Sequence, residues 1–448
     1  MNYILTFVIF FLAIVISVAT VPDGALGVLL CLGLLLISLS LIKRVDVDRD
    51  FLVNIFLGAL LVRIVLGFAI YSADLQFFFA PDALTYDLRG YELLQYYTGA
   101  TSGAAEAMHR ADSSSMYYIV ALIYLITGRN PLNVQLVNAV FGAATAVLTY
   151  LCASHIYRNR SVARNTAIFI GFFPSLILWT SLGLKDGLIM FLIAFCTLMT
   201  LKLNEKFNLI NAGLLLLGLM GIIGLRFYIF FIIIAAIFAS FVLGQDVSIK
   251  KLAIRAFAIL SIGLGLMYLG VLQRAEQEFK RFDSLEKAQT IRKNMGEQAD
   301  SNFSEGTDVS TTGSLIQTLP IGIAYVMLSP FPWDIKSVRQ VITLPEMIIW
   351  WLSIPIFIYG LIYIVRNKFR QSIFILVFGL LLTLSYAVFQ GNTGTAYRHR
   401  AQIQMFYFII LSVGIAILQE YRGNRRMLAK ARNRLAIPLK VQHHDNQS

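Results

Sequence analysis

Apolar runs of bilayer length recur along this chain, and every second gap between them is basic. The runs cover 3–21, 25–42, 51–71, 133–156, 165–183, 187–203, 209–225, 227–243, 254–272, 345–365, 371–390 and 401–419. About twenty apolar residues carry a helix across the hydrocarbon core. The pattern therefore predicts an all-α polytopic membrane protein, a bundle of about twelve transmembrane helices.

The basic residues predict its orientation. Lys43, Arg44 and Arg49 follow the second run, Arg158, Arg160 and Arg164 the fourth, and Lys202 and Lys206 the sixth. Lys250, Lys251 and Arg255 follow the eighth, Arg366, Lys368 and Arg370 the tenth, and a basic tail from Arg422 the twelfth. All share one side if both termini are cytoplasmic, the bias expected of cytoplasmic loops. Charged residues make up 14% of the chain, against about 25% in a soluble domain. That shortage is chain-wide and excludes a soluble enzyme with a single anchor. The excess of 37 basic over 25 acidic residues points to cytoplasmic loops and anionic headgroups, with no nucleic acid as partner. Cys31, Cys152 and Cys196 lie inside apolar runs and show neither metal-site nor disulfide spacing. The first run lacks a basic stretch before it and reads as an uncleaved span. The absence of eukaryotic-type soluble modules points to a bacterial inner (plasma) membrane.

Two apolar segments are too short to count as spans. "SSMYYIVALIYLITG", 114–128, would reverse the side of Arg158, Arg160 and Arg164 if it crossed, so it reads as an interfacial helix. "PIGIAYVMLSPFPW", 320–333, is Pro-broken and reads as re-entrant or interfacial. Two polar stretches, 72–114 and roughly 273–318, face outward; the second reads as a polar helix followed by a loop rich in Ser, Thr and Gly. Asn302-Phe303-Ser304 fits a glycosylation triplet of the kind that recurs by chance. The organisation is then a 1–50 amino-terminal hairpin, a 51–203 core with a first outer loop at 72–132, and middle helices at 204–272. An outer loop follows at 273–344, then carboxy-terminal helices at 345–419 and a basic cytoplasmic tail at 420–448.

Ionisable residues gather at the outward ends of these helices. "FFFAPDALTYDLRGYELL", 77–94, places Asp82, Tyr86, Asp87 and Arg89 after the third run. Lys185 and Asp186 make the turn between the fifth and sixth runs, Arg226 lies between the seventh and eighth, and Arg398, His399 and Arg400 precede the twelfth. Each has a plain structural reading. Asp82 is a favoured helix cap, Arg89 can hold its own helix in place, Lys185-Asp186 can be a turn pair, and the 398–400 cluster can anchor at the interface. Taken together they offer more. A carboxylate can serve as general base, and several cations on one side suit a phosphate, which Arg binds as a fork and Lys as a point charge. Arg63, inside the third run, must face protein, water or headgroups.

This order of features resembles the GT-C superfamily of polyprenyl-phosphate-dependent glycosyltransferases, nearest the protein mannosyltransferase and aminoarabinose transferase branch (glycosyltransferase family 39-like). "PDALTYD" takes the place of that family's acidic motif, with Asp82 matching its catalytic Asp. The stretch from 114 to 186 resembles the family core, and Asp186 falls at its second acidic site. Over the rest of the chain the likeness is one of topology. The family's Asp-Glu pair is Asp82-Ala83 here, its Pro-Pro is Ser114-Ser115, and the 1–42 hairpin is additional. Asp87 is the remaining candidate for the missing acid.

The resemblance implies one inverting displacement, with a sugar passing from a polyprenyl-phosphate-linked donor to a glycan, lipid or protein acceptor on the outer face. Asp82 would take the acceptor proton, with Asp87 and Asp186 as further catalytic candidates. Lys185, Arg226, Arg398 and Arg400 would meet the departing phosphate, with His399, Arg89 and Tyr86 as further substrate contacts. The side chains supply the positive charge, so no cofactor or metal is predicted, though relatives hold a divalent ion with acids. The alternatives are an O-antigen-type polymerase or ligase, and a transporter or flippase of lipid-linked sugars. A transporter reading is weakened by the absence of internal repeats.

Overall fold

The computed structural model describes residues 2–20, 23–100, 115–244, 284–297, 302–303 and 307–435, with isolated positions at 263–265, 267–268 and 276. It is an all-α membrane protein. The helices run α1 (Asn2–Ala19), α2 (Asp23–Lys43), α3 (Arg49–Ser72), α4 (Gln76–Phe79), α5 (Pro81–Tyr97), α6 (Met116–Thr127), α7 (Pro131–Tyr157), α8 (Arg160–Phe172) and α9 (Pro174–Ser181). They continue as α10 (Asp186–Glu205), α11 (Leu209–Leu225), α12 (Phe227–Leu243), α13 (Leu285–Glu297), α14 (Thr312–Leu328), α15 (Val338–Asn367), α16 (Phe369–Phe389) and α17 (Thr393–Leu435).

Among the described residues seven helices are long and apolar enough to cross a membrane, or eight if the bent pair α8–α9 is one span. The apolar helices α1, α11, α12 and α14 are shorter. Most of the 254–272 run, the basic residues 250–255, parts of the 72–114 and 273–318 stretches and the end of the tail lie outside the described residues. Burial separates centre from rim. In α7 and α17, 78% of the apolar window is buried within the bundle, against 17% in α15. The central helix α7 packs against α2, α3, α8 and α10. Asn130 starts it, accepting the Leu132 N–H at 3.0 Å, with Pro131 at the first helical position where no N–H is needed. Helices α15 and α17 touch backbone to backbone: a Cβ on Gly360 would sit 2.3 Å from the Ile410 carbonyl. Small residues at such a crossing are the usual way membrane helices approach closely.

Three elements differ from expectation. The 165–183 run is not one straight helix but bends by 53° at Phe173. Pro174 has no N–H to give the Ile170 carbonyl. Arg63 of α3 fills that gap, donating to the carbonyls of Gly171 at 2.8 Å and Ile170 at 3.1 Å and to Thr180 Oγ1 at 2.7 Å. Across the break Glu346 accepts the Ser175 N–H at 2.6 Å and the Tyr397 hydroxyl at 3.0 Å. A cation thus meets the carboxyl end of α8 and an anion the amino end of α9, the signs each helix dipole favours. Arg63, open in role from the sequence, is the brace of a broken span. The second difference is α14, which runs unbroken through Pro320, so the 320–333 segment is mostly the end of a longer helix. The third is α17. It begins at Thr393, eight residues before the apolar run it contains, and so takes the 398–400 cluster inside a helix.

Candidate functional site

The short turn between α9 and α10 is held from behind. Asn138 Nδ2 donates to the carbonyls of Leu182 at 2.7 Å and Leu184 at 2.6 Å. This fixes the turn and sets Asp186 as the first residue of α10, fully buried. One Asp186 oxygen accepts from Arg226 Nη2 at 2.8 Å and Gln402 Nε2 at 3.0 Å. The other accepts from Arg398 Nε at 2.7 Å and lies 2.6 Å from its Nη2. Arg226 is the single extended residue between α11 and α12, and its Nη1 donates to the Tyr228 hydroxyl at 2.9 Å.

Arg398 has a second partner. Its Nη1 donates to Asp82 Oδ2 at 2.6 Å. Asp82 lies in the first turn of α5, after Pro81, and the cap position of that helix is Ala80 rather than Asp82. Its side chain is 55% exposed, whereas that of Arg398 is 14% exposed. A guanidinium from the last apolar helix therefore bridges a buried acid and an exposed one from two different parts of the chain. Tyr386 closes the far wall: its hydroxyl donates to Gln402 Oε1 at 2.7 Å, lies 3.3 Å from that of Tyr228, and its ring stacks on His399. His399 Nδ1 lies 2.8 Å from Gln390 Nε2.

Lys185 is the exception in this network. It is half-buried, feels the charges of Arg226, Asp186, Arg398 and Asp82, and among the described residues its ammonium makes no hydrogen bond or ion pair. Burial, with Arg226 nearby, pushes its ammonium down to about 8. Tyr86 also faces the cluster, and burial pushes its hydroxyl up to about 12. Among the described residues, three cations thus stand against two carboxylates.

Of the residues singled out in the sequence, the structure brings together Asp82, Asp186, Lys185, Arg226 and Arg398, with Tyr86 and His399 beside them. Three others are engaged elsewhere. Asp87 accepts from the Tyr124 hydroxyl at 2.6 Å and Arg129 Nη2 at 2.7 Å, tying α5 to α6 and the start of α7. Arg89 pairs with Glu92 on its own helix at 2.8 Å. Arg400 is fully buried and donates to the carbonyls of Met327 at 3.0 Å and Ser329 at 2.7 Å, bracing the end of α14. Two residues along a helix turn a side chain by about 200°, so Arg398 and Arg400 cannot share a face. Sequence reading missed Tyr228, Tyr386 and Gln402. Gln402 had a signal, lying four residues after Arg398 on the same helical face; Tyr386 had none.

No protein-family model matches the chain, and no curated protein matches it in sequence. What the site can do is therefore argued from its chemistry. Both carboxylates already accept from guanidinium groups, so the arrangement is one of fixed positive charge with a single half-buried cation unpaired. Such a site attracts an anion. Its exposed acid, Asp82, can accept a proton from a ligand lying above it.

Proposed function

We propose that this protein is a membrane glycosyltransferase that moves a sugar from a polyprenyl-phosphate-linked donor to a hydroxyl-bearing acceptor. The observation that carries the reading is the unpaired Lys185 beside the Asp82–Arg398–Asp186 bridge, at the end of a bundle of apolar helices. A phosphate bound at that end can leave its isoprenoid tail among apolar helices, which supply binding energy remote from the reacting carbon. The acceptor hydroxyl attacks C1 of the sugar, its proton passes to Asp82, and the C1–O bond to the phosphate breaks with inversion. The departing phosphate gathers charge against Lys185 and Arg398, with Arg226 behind them, which is where fixed positive charge stabilises a transition state.

The charges balance along this path. With Asp82 ionised, the five groups carry one net positive charge, which a phosphodiester donor neutralises. After transfer Asp82 is protonated and the site carries two, matching a lipid phosphate of charge close to −2. A diphosphate donor, as an O-antigen-type polymerase or ligase would use, exceeds the positive charge at hand. The basic residues at the opposite helix ends favour cytoplasmic termini and an outward-facing site in a bacterial plasma membrane.

The experiment compares surface glycans by mass spectrometry in a deletion strain complemented with wild type or Asp82→Asn. The glycan lost on deletion should return with wild type and stay absent with Asp82→Asn, although the variant protein is present in the membrane at wild-type level. Restoration by Asp82→Asn would end the assignment. Activity of the purified protein should survive chelator treatment; loss reversed by manganese or magnesium would overturn metal independence.

A further inference from the structure

We infer that Arg398 changes partner during the cycle: its Nη1 leaves Asp82 for the incoming donor phosphate. This rests on the proposed transferase reading and adds an order of events to it. The two ends of the Arg398 bridge are unequal. Toward Asp186 the guanidinium uses two nitrogens, against a fully buried carboxylate whose other oxygen is held by Arg226 and Gln402. Toward Asp82 it uses only Nη1, and that carboxylate is more than half exposed. Exposed ion pairs are weakly held because water competes for both members. The Asp82 bond is the one that gives way.

The replacement is defined by what surrounds it. Lys185 feels both Asp82 and Arg398 and, among the described residues, its ammonium has no ion pair. An anion drawn to Lys185 therefore comes within range of the Arg398 charge. Phosphate oxygens are better matched to a guanidinium than one solvated carboxylate oxygen, and Lys185 adds a point charge that makes no ion pair with Asp82. Arg398 keeps its place during the exchange because Asp186 still holds Nε and Nη2. The consequence is for the proton. While Nη1 donates to it, that Asp82 oxygen is occupied. Once Nη1 turns to the phosphate, the Asp82 oxygen it held can receive the acceptor hydroxyl.

The test measures binding of a polyprenyl monophosphate, and of the matching uncharged polyprenol, to the purified full-length chain in lipid nanodiscs. Wild type, Asp82→Asn, Lys185→Met and Asp74→Asn are compared, the last as an equal change of charge at an exposed residue between α3 and α4. Removing the competing carboxylate should tighten monophosphate binding by about three- to tenfold in Asp82→Asn. Lys185→Met should weaken it, Asp74→Asn should leave it within about twofold, and polyprenol binding should be the same in all four. If Asp82→Asn binds the monophosphate no more tightly than wild type, or Asp74→Asn tightens it as much, the exchange is wrong while the transferase reading stands. If wild type does not prefer the monophosphate to polyprenol, the transferase reading falls and the exchange with it.

Discussion

Each end of the bundle carries an aspartate whose side chain is covered by two arginines, and the two arrangements do different things. At the start of α3, Asp48 accepts from Arg160, from Arg164 at 2.9 and 3.0 Å, and from the Tyr150 hydroxyl at 2.8 Å. Its side chain is 2% exposed, but those of Arg160 and Arg164 are 65% and 39% exposed. Water therefore dissipates the excess positive charge, and the cluster clamps the chain before α3 to the start of α8. At the start of α10, Asp186 has the same number of arginines, but Arg226 is 5% exposed and Arg398 14%. Here the excess charge is not solvated, a lysine is left over, and a second, exposed acid competes for one guanidinium. The number of ion pairs does not distinguish a clamp from a binding site. What distinguishes them is whether the surplus charge has water to spread into.

Breaking the buried acids puts this contrast to its hardest test. Asp186→Ala strands two nearly buried guanidinium groups and should cost about 3–5 kcal/mol, read as a marked fall in melting temperature in detergent together with loss of transfer. Asp48→Asn leaves arginines that can turn to solvent, so its melting temperature should drop far less and its transfer per folded molecule should stay near wild type. Equal destabilisation by the two substitutions would mean that solvent access to the arginines does not matter, and the contrast would fail.

Lys185 gives a smaller and more selective effect. Lys185→Met removes a half-buried ammonium that has no ion pair, so stability should hold or rise while donor affinity falls about tenfold. The pH dependence has a definite sign. The free ammonium is pushed down to about 8, and only its protonated form attracts phosphate. Affinity should be level below pH 8 and decline as pH rises through that value. Lys185→Met should lack this decline, and Lys185→Arg should move it above the range measured. A decline that persists in Lys185→Met would assign it to another group.

The fold was more legible than the site, and particular residues show why. Apolar runs mark helices because hydrocarbon selects for length and composition along the chain, both local properties. The bend at Phe173 also had a local sign, in Pro174. Its two braces did not: Arg63 lies 107 residues from the Ile170 carbonyl and Glu346 lies 171 from Ser175, and nothing in the sequence joins them. The outward turns could be grouped as candidates by side, which brought in Asp82, Lys185, Asp186, Arg226 and Arg398. Side alone could not resolve facing. Arg400 was grouped with Arg398 because "RHR" was read as preceding its helix, and about two extra turns of α17 send it to the end of α14 instead. Tyr386 was invisible for a simpler reason: a tyrosine within an apolar run has no pattern of its own.

The smallest expected effect belongs to the clamp, and it separates the two ends by acidity. The Arg160 guanidinium beside Asp48, helped by Arg164 and Tyr150, holds its carboxyl well below the usual range against the opposing effect of burial. A carboxyl depressed on folding stabilises the fold at any pH above its unfolded value, about 3.9, and that stability is lost as pH falls below it. Exposed arginines and salt screening keep the contribution small. Wild type should therefore lose melting temperature between pH 5 and 3 slightly faster than Asp48→Asn, and added salt should narrow the gap. Parallel curves for the two proteins would show that Asp48 is not held as an anion by its arginines, leaving the cluster as packing alone.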